Sequence, residues 1–418
     1  MLLQKDRRQN KLNLLVWLFM NKNKFYGQRL RDALQFRGKK MADISRETGI
    51  SRQSLSLYAN EENVPPFENV QKIAKNLDFP VEYFLSEDKC TTVTSNTYFR
   101  SQAAAKKKDQ NAQEKKLEYT AKMYEILLNY VNFPALRLTL PMGIYSDIND
   151  VVSADPEDMQ GKIEKLTISL REAWGIGNGP IDNMQYLLES NGIVVTGFRN
   201  VDDKIDAFSQ KIHVKDGSSL YIVALALGEK SKDRLRFDMA HELGHIMMHN
   251  WDESNEDLSR EEFNTIERQA NMFASAFLLP RETFGKMVSP YATNIEFYRA
   301  LKKKWGVSMQ AMMYRARQLD IITMNQFQYL MRQISQRGYR THGPGDVLGS
   351  FSNTIFQGAV DVLFDGGYLN AVELKRAFYD AGICLNSRDM EDLMGLKPGT
   401  LDTESKIVSF KPKIEPKC

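Results

Sequence analysis

Apolar residues recur along this chain with two different periods, and the switch between them divides it. From Phe25 to Leu85 they come in short helical bursts separated by tight turns, and Val70, Ile73, Ala74 and Leu77 share one helical face. Leu117, Tyr124, Leu127, Leu128 and Val131 give a second packing face, which Pro134 and Pro141 end. Residues 158–191 read as two helices around a Gly/Asn/Pro-rich break at 175–180. Three strand-like runs follow at 192–198, 206–214 and 219–227, the first and last rich in Val and Ile. Helical spacing returns at 233–250, 262–279, 294–319 and 323–337. Residues 338–346 are a loop, and 347–401 read as a small helical unit without a chemical motif.

This pattern predicts an α+β chain, mostly α. With 418 residues and roughly 150 per domain, two to three domains are expected. The boundaries read as an extension at 1–22, a five-helix unit at 23–86, a polar linker at 87–116, a central domain with a helical lead-in at 117–340, a helical unit at 341–410 and a tail at 411–418. Residues 12–20 (LNLLVWLFM) imitate a signal peptide faintly, but no small-residue cleavage site follows. That run is also far below the roughly 20 residues needed to span a bilayer, so no membrane role is expected and Met20 is a plausible start.

Composition adds three facts. The 56 Lys/Arg against 53 Asp/Glu describe an ordinary soluble globular protein and exclude a wholly disordered chain. The balance hides a basic start: residues 1–60 hold 13 Lys/Arg against 4 Asp/Glu, a local +9. Cys90, Cys384 and Cys418 are too few and too scattered for a disulfide framework or a cysteine zinc site, which fits a reducing cytoplasm.

Of only five histidines, three fall within RFDMAHELGHIMMH, residues 236–249. His241 and His245 are four positions apart, so a helix stacks both imidazoles on one face. Two such nitrogens suit one Zn²⁺ per chain, and Glu242 between them is placed as general base; this is the H-E-x-x-H arrangement. Gly244 permits close approach of another backbone. His249 continues the face one turn on, as a neighbour of the metal ligands or as a helix-end cation. A catalytic zinc needs a third protein ligand. The acidic run Asp252, Glu253, Glu256, Asp257, Glu261 and Glu262 reads as a solvated surface. Glu267 is better placed, because Ile266, Ala270, Phe273, Ala274 and Phe277 give its segment a helical apolar face, with Asn271 one turn away in support.

The pair of segments RFDMAHELGHIMMH and ERQANMFASAFLLP resembles the ImmA/IrrE family of zinc metallo-endopeptidases over about residues 160–320, and DAFS at 206–209 also looks familial. The resemblance implies a zincin-like peptidase domain with His241, His245 and Glu267 as zinc ligands and Glu242 as base. Gln269 departs from it, standing where many relatives carry a second Glu. Asp238, one turn before His241, could orient its imidazole. His213, Tyr291 and Tyr314 are candidates for stabilising a tetrahedral intermediate. The strand at 219–227 could present an extended peptide by edge pairing.

Residues 41–60, MADISRETGISRQSLSLYAN, fit a helix-turn-helix: Ser45 in the first helix, Gly49 at the turn and Leu55 as apolar anchor of the second. Ser51 is placed to cap that second helix, whose first turn presents Arg52 and Gln53, side-chain types that pair with guanine and adenine edges. With NVPPFENVQKIAKNLDFPVEYFL the segment resembles the lambda-repressor/Cro-like (XRE) family over about 24–86. This implies Arg52, Gln53 and Ser56 facing the major groove, with Lys39, Lys40 and Arg46 near phosphates. The combined expectation is a cytoplasmic, DNA-binding zinc endopeptidase that cleaves a regulatory protein, by resemblance a transcriptional repressor, in a phage, mobile-element or stress response. Operator binding suggests a homodimer. The alternative is a regulator whose zincin-like domain senses a partner or signal without cutting.

Overall fold

The computed structural model describes residues 24–90, 93–99, 107–138, 156–198, 207–213, 219–249, 259–340, 342–349, 351 and 354–402. The expected extension at 1–22 and tail at 411–418 lie outside these.

The described residues begin with α1 Gly27–Phe36, α2 Met41–Thr48, α3 Arg52–Ala59, α4 Phe67–Leu77 and α5 Val81–Leu85, the five helices expected. Gly49 ends α2 at φ +75°, a left-handed conformation glycine adopts without steric cost. Two residues on, the Ser51 hydroxyl accepts from Ser54 N at 3.0 Å and starts α3. Then come β1 Val93–Phe99, α6 Lys107–Leu127, α7 Pro156–Ala173, α8 Met184–Ser190, β2 Ile193–Phe198, β3 Ala207–His213 and β4 Ser219–Ala226. Helices α9 Lys232–Met248, α10 Arg260–Leu278, α11 Ile295–Trp305, α12 Met309–Gln318 and α13 Met324–Gln336 follow. The last three are α14 Ile355–Asp365, α15 Ala371–Asp380 and α16 Ser387–Met394. The fold is α+β and mostly helical.

Among the described residues four strands form one sheet in the order β1-β3-β4-β2, with β2 parallel to β4 and the other pairs antiparallel. Side chains of β2–β4 alternate between its faces. Val194, Phe198, Phe208, Ile212, Leu220, Ile222 and Ala224 enter one core, which also holds α1–α6 and α14–α16. Ile193, Val195, Ala207, Tyr221, Val223 and Leu225 enter a second, built with α7–α13. Strands β2 and β4 are covered on both faces, which is why they read as continuous apolar runs rather than as an alternation.

Five expectations need correction. The polar segment 87–116 is not a linker throughout: it supplies β1 and the first turns of α6, whose polar residues find ion pairs such as Lys115–Asp32 at 3.1 Å. The helical lead-in that begins at 117 packs in the first core, not with the central domain. Leu128, expected on its apolar face, is 37% exposed. The stretch 294–319 is two helices, because Gly306 turns the chain at φ +59° and Ser308 caps α12. The strand at 219–226 has neighbours on both sides, so it offers no edge to a peptide.

The C-terminal helices are no separate unit either. They clasp the N-terminal five helices to the sheet through bonds spanning more than 300 residues. Arg37 Nη1 donates to Asp389 Oδ1 at 2.9 Å, and the buried Arg29 Nη2 donates to the Gly382 carbonyl at 2.7 Å. On the sheet side, Thr196 Oγ1 donates to the Leu393 carbonyl at 2.7 Å. The buried Glu189 accepts from Ile355 N at 3.1 Å, at the start of α14. Burial pushes the Glu189 carboxyl up to about 8, against the opposing pull of that bond and of Gln185. A carboxyl raised in the folded state binds a proton that the unfolded chain releases at lower pH. Its stabilisation is therefore complete below about pH 4.5 and declines as pH climbs to about 8. Urea midpoints of the native chain should fall across that window and those of Glu189→Gln should fall less; parallel pH profiles would contradict this.

Candidate functional site

The site is made where α9 and α10 touch. Ser231 caps α9, its hydroxyl accepting from Arg234 N at 3.3 Å, and Ser259 with Glu262 forms a reciprocal capping box on α10. Gly244 sets the approach of the two helices. A Cβ there would come within 3.2 Å of Ala270 Cα and of the Phe273 ring, so a larger residue needs these neighbours to give by a few tenths of an ångström.

That contact brings Glu267 against the two histidines. His241 Nε2 and His245 Nε2 are 3.0 Å apart, and the Glu267 oxygens lie 3.4 Å from the first and 3.3 Å from the second. The carboxylate offers Oε2 to His241 and Oε1 to His245. A tetrahedral zinc with bonds of about 2.0–2.1 Å has ligand–ligand edges of roughly 3.3 Å, so the two imidazoles and the carboxylate suit such an ion by spacing as well as by donor type. Glu267 is the candidate third ligand the spacing favoured; Glu261 and Glu262 sit exposed at the start of α10, and Asp252, Glu253, Glu256 and Asp257 lie outside the described residues. Burial alone would raise the Glu267 carboxyl, but the bonds from both imidazoles outweigh it and hold it at about 2.

Glu242, next to His241 in the chain, is fully buried, and its Oε2 accepts from Ser209 Oγ on β3 at 2.5 Å. Ser209 belongs to the DAFS segment, which carried a resemblance but no role in the sequence. Its signal was positional: odd-numbered residues of β3 face α9.

His249 caps the C-terminus of α9 and is buried, with Nδ1 2.9 Å from His245 Nδ1 and Nε2 3.1 Å from Gln269 Oε1. Desolvation and the neighbouring His245 hold its pKa well below the ordinary histidine value. It is thus a neutral ring, not the helix-end cation that its position offered. A metal on both Nε2 atoms leaves the His245 proton on Nδ1, to be donated to His249 Nδ1. His249 then carries its own proton on Nε2 and donates it to Gln269. Gln269, the departure from the family pattern, is the acceptor for His249 in this chain.

The remaining candidates sort by place. Asp238 is buried and pairs with Arg234 Nε at 3.3 Å and Lys230 Nζ at 3.8 Å. Asn271 donates to the Glu267 backbone carbonyl at 2.7 Å. Tyr291 and Tyr314 are 57% and 53% exposed, and His213 ends β3 at the surface. A cavity of about 650 Å³ is lined by Phe237, Asn271, Ser275 and Tyr314 among others. Phe237 lies one turn before His241 and Asn271 one turn after Glu267, so the cavity extends the ligand-bearing face of both helices.

In the N-terminal unit, Ser51, Arg52, Gln53 and Ser56 are exposed along the start of α3, while Leu55 and Tyr58 are buried. Lys40 and Arg46 are also exposed, Arg46 beside Asp43 at 3.1 Å. Lys39 is engaged within the unit, by Glu47 at 2.8 Å and Asn76 Oδ1 at 3.1 Å.

Residues 189–317 match the family model of the IrrE N-terminal-like domain, peptidase M78. The chain carries a metallopeptidase-type domain. Residues 27–87 match a helix-turn-helix domain. No curated protein matches the chain. The M78 match begins at α8 and takes in β2–β4 and α9–α12, hence the whole histidine–glutamate cluster; α6, packed in the other core, falls outside it. Among the described residues no helix is long and apolar enough to cross a membrane.

Removing the acceptor that ends the histidine chain tests its part in holding a metal. Gln269→Leu should weaken zinc about 10–100-fold in competition with a chromophoric chelator, at unchanged secondary structure. Unaltered affinity would show that the chain does not orient His245.

Proposed function

We propose that the chain is a DNA-binding zinc endopeptidase that cleaves a regulatory protein. The observation that carries this reading is the buried Glu242 carboxylate, fixed by Ser209 beside a cluster of two imidazoles and a carboxylate. His241, His245 and Glu267 hold one Zn²⁺, which supplies Lewis acidity to the attacking water and the scissile carbonyl when bound. Glu242 takes the water's proton and returns it to the leaving amine. The Ser209 hydroxyl occupies one carboxylate oxygen and so restricts how the carboxylate turns. The chain Gln269–His249–His245 fixes the orientation of one ligand ring. A purely sensory domain would have no use for a base in this position.

In the same reading, α3 lies in the major groove with Ser51, Arg52, Gln53 and Ser56 toward the bases, and Lys40 and Arg46 reach phosphates. The substrate is a regulatory protein, a transcriptional repressor by the family resemblance, in a phage, mobile-element or stress response. The protein works in the cytoplasm, and paired operator half-sites suit a homodimer.

Glu242→Gln should keep one zinc per chain by elemental analysis and lose about 10²–10⁴-fold in cleavage of a quenched-fluorescent peptide library. Equal cleavage by the zinc-bearing variant would remove Glu242 as base. On duplexes selected from a random pool by the full chain, Arg52→Ala should cost about 1–3 kcal/mol and relax preference at one base position. Lys40→Ala should instead weaken all duplexes alike and lower the salt slope by about 1. Undiminished binding by both variants would place the DNA surface elsewhere.

A further inference from the structure

A protease that works on extended peptides needs a strand edge beside its base, because the peptide backbone pairs there as an added strand. The strand beside Glu242 is β3, through Ser209 Oγ at 2.5 Å. One edge of β3 is taken by β4, and β2 stands two strands away in the order β1-β3-β4-β2. The edge that remains is the outer one of β3, and the chain fills it with its own segment Val93–Phe99. The pairing is antiparallel, and the register partner of Ser209 is Tyr98. Neighbouring strands lie about 4.7–4.9 Å apart, so the backbone of this segment runs one strand spacing from the residue that holds the catalytic base.

Two further features describe a displaceable occupant. The register slips between Thr94 and Thr97, where β1 uses one residue more than β3 to cover the same length. Such a bulge breaks the hydrogen-bond ladder into two short pieces. The segment VTSNTYF is also uncharged, rich in β-branched and aromatic residues and free of proline, the composition that pairs as a strand without side-chain charge. It is tethered close by, since Lys89 N donates to the Ala381 carbonyl at 3.2 Å four residues before β1 begins. Tethering raises its effective concentration at the edge above that of any free peptide.

We propose that Val93–Phe99 is a resident peptide in the substrate's place, and that an extended, uncharged segment of the substrate protein must displace it to reach Glu242. This rests on the peptidase reading. It makes the segment between the DNA-binding helices and α6 the element that admits or refuses substrate. A rearrangement of the N-terminal unit that pulls on the tether would open the edge.

The test uses the full chain, zinc-loaded and carrying Glu242→Gln so that nothing is cut, with a fluorescently labelled peptide of sequence VTSNTYF blocked at both ends. A version in which residues 93–99 are replaced by seven Gly and Ser residues should bind the peptide at least tenfold more tightly than the version that keeps them, by fluorescence anisotropy. Equal binding by both, or binding by neither, overturns the proposal. A second pair guards against misfolding of the replaced chain. Val93 and His213 are register partners, at a Cα separation that a disulfide spans. With Glu242 intact, oxidised Val93→Cys/His213→Cys should cleave a quenched-fluorescent peptide library at least tenfold more slowly than the same chain after reduction; equal rates would likewise overturn the proposal. If the peptide binds as expected and yet no chain with Glu242 cleaves anything, the peptidase reading has failed and the edge has not.

Discussion

The four-stranded sheet has an apolar core on each face, and most of the architecture follows from that one constraint. Even-numbered residues of β2–β4 serve the core shared with the DNA-binding helices, and odd-numbered residues serve the core of the M78 domain. Each fully buried side chain such as Phe208 or Val223 contributes about 1.5–3 kcal/mol by leaving water. A one-residue slip of any strand would exchange the two sets and disrupt both cores together. The same alternation that gives Phe208 to one core aims Ser209 at Glu242.

The sheet also explains why the ends of the chain meet. A face covered only by α6 and part of the N-terminal unit would leave apolar surface open, and α14–α16 close it. They do so with buried polar bonds, among them Arg29 to Gly382 and Thr196 to Leu393, that have fixed geometry and so set how the N-terminal unit sits on the sheet. The helix-turn-helix and the metallopeptidase-type domain are thus two sides of one wall.

Much of the candidate site was legible because its chemistry is local. Four-residue spacing stacks His241 on His245, and the apolar face of α10 turns Glu267 toward them. Elements with their own punctuation were equally clear, as with Gly49 and Ser51 around the turn before α3. What the sequence hid depends on distant partners. Strand β1 lacks an apolar alternation because its identity comes from pairing with β3, more than a hundred residues on. The start of α6 looks like a solvated linker because the charge of its Lys115 is matched by Asp32, from a distant helix, and by Glu118. Gln269 read as a departure from the family pattern that removes an ambiguity about the ligand, and only the fold shows His249 bonded to it.

Everything chemical in the proposal rests on one arrangement, in which His241, His245 and Glu267 would close on a single ion. X-ray absorption at the zinc edge of the metal-loaded chain tests it directly. The account predicts four light ligands at about 2.0–2.1 Å, with the multiple-scattering signature of two imidazoles that drops to one in His245→Ala. A sulfur shell at about 2.3 Å, or an imidazole signal that His245→Ala leaves unchanged, would contradict it.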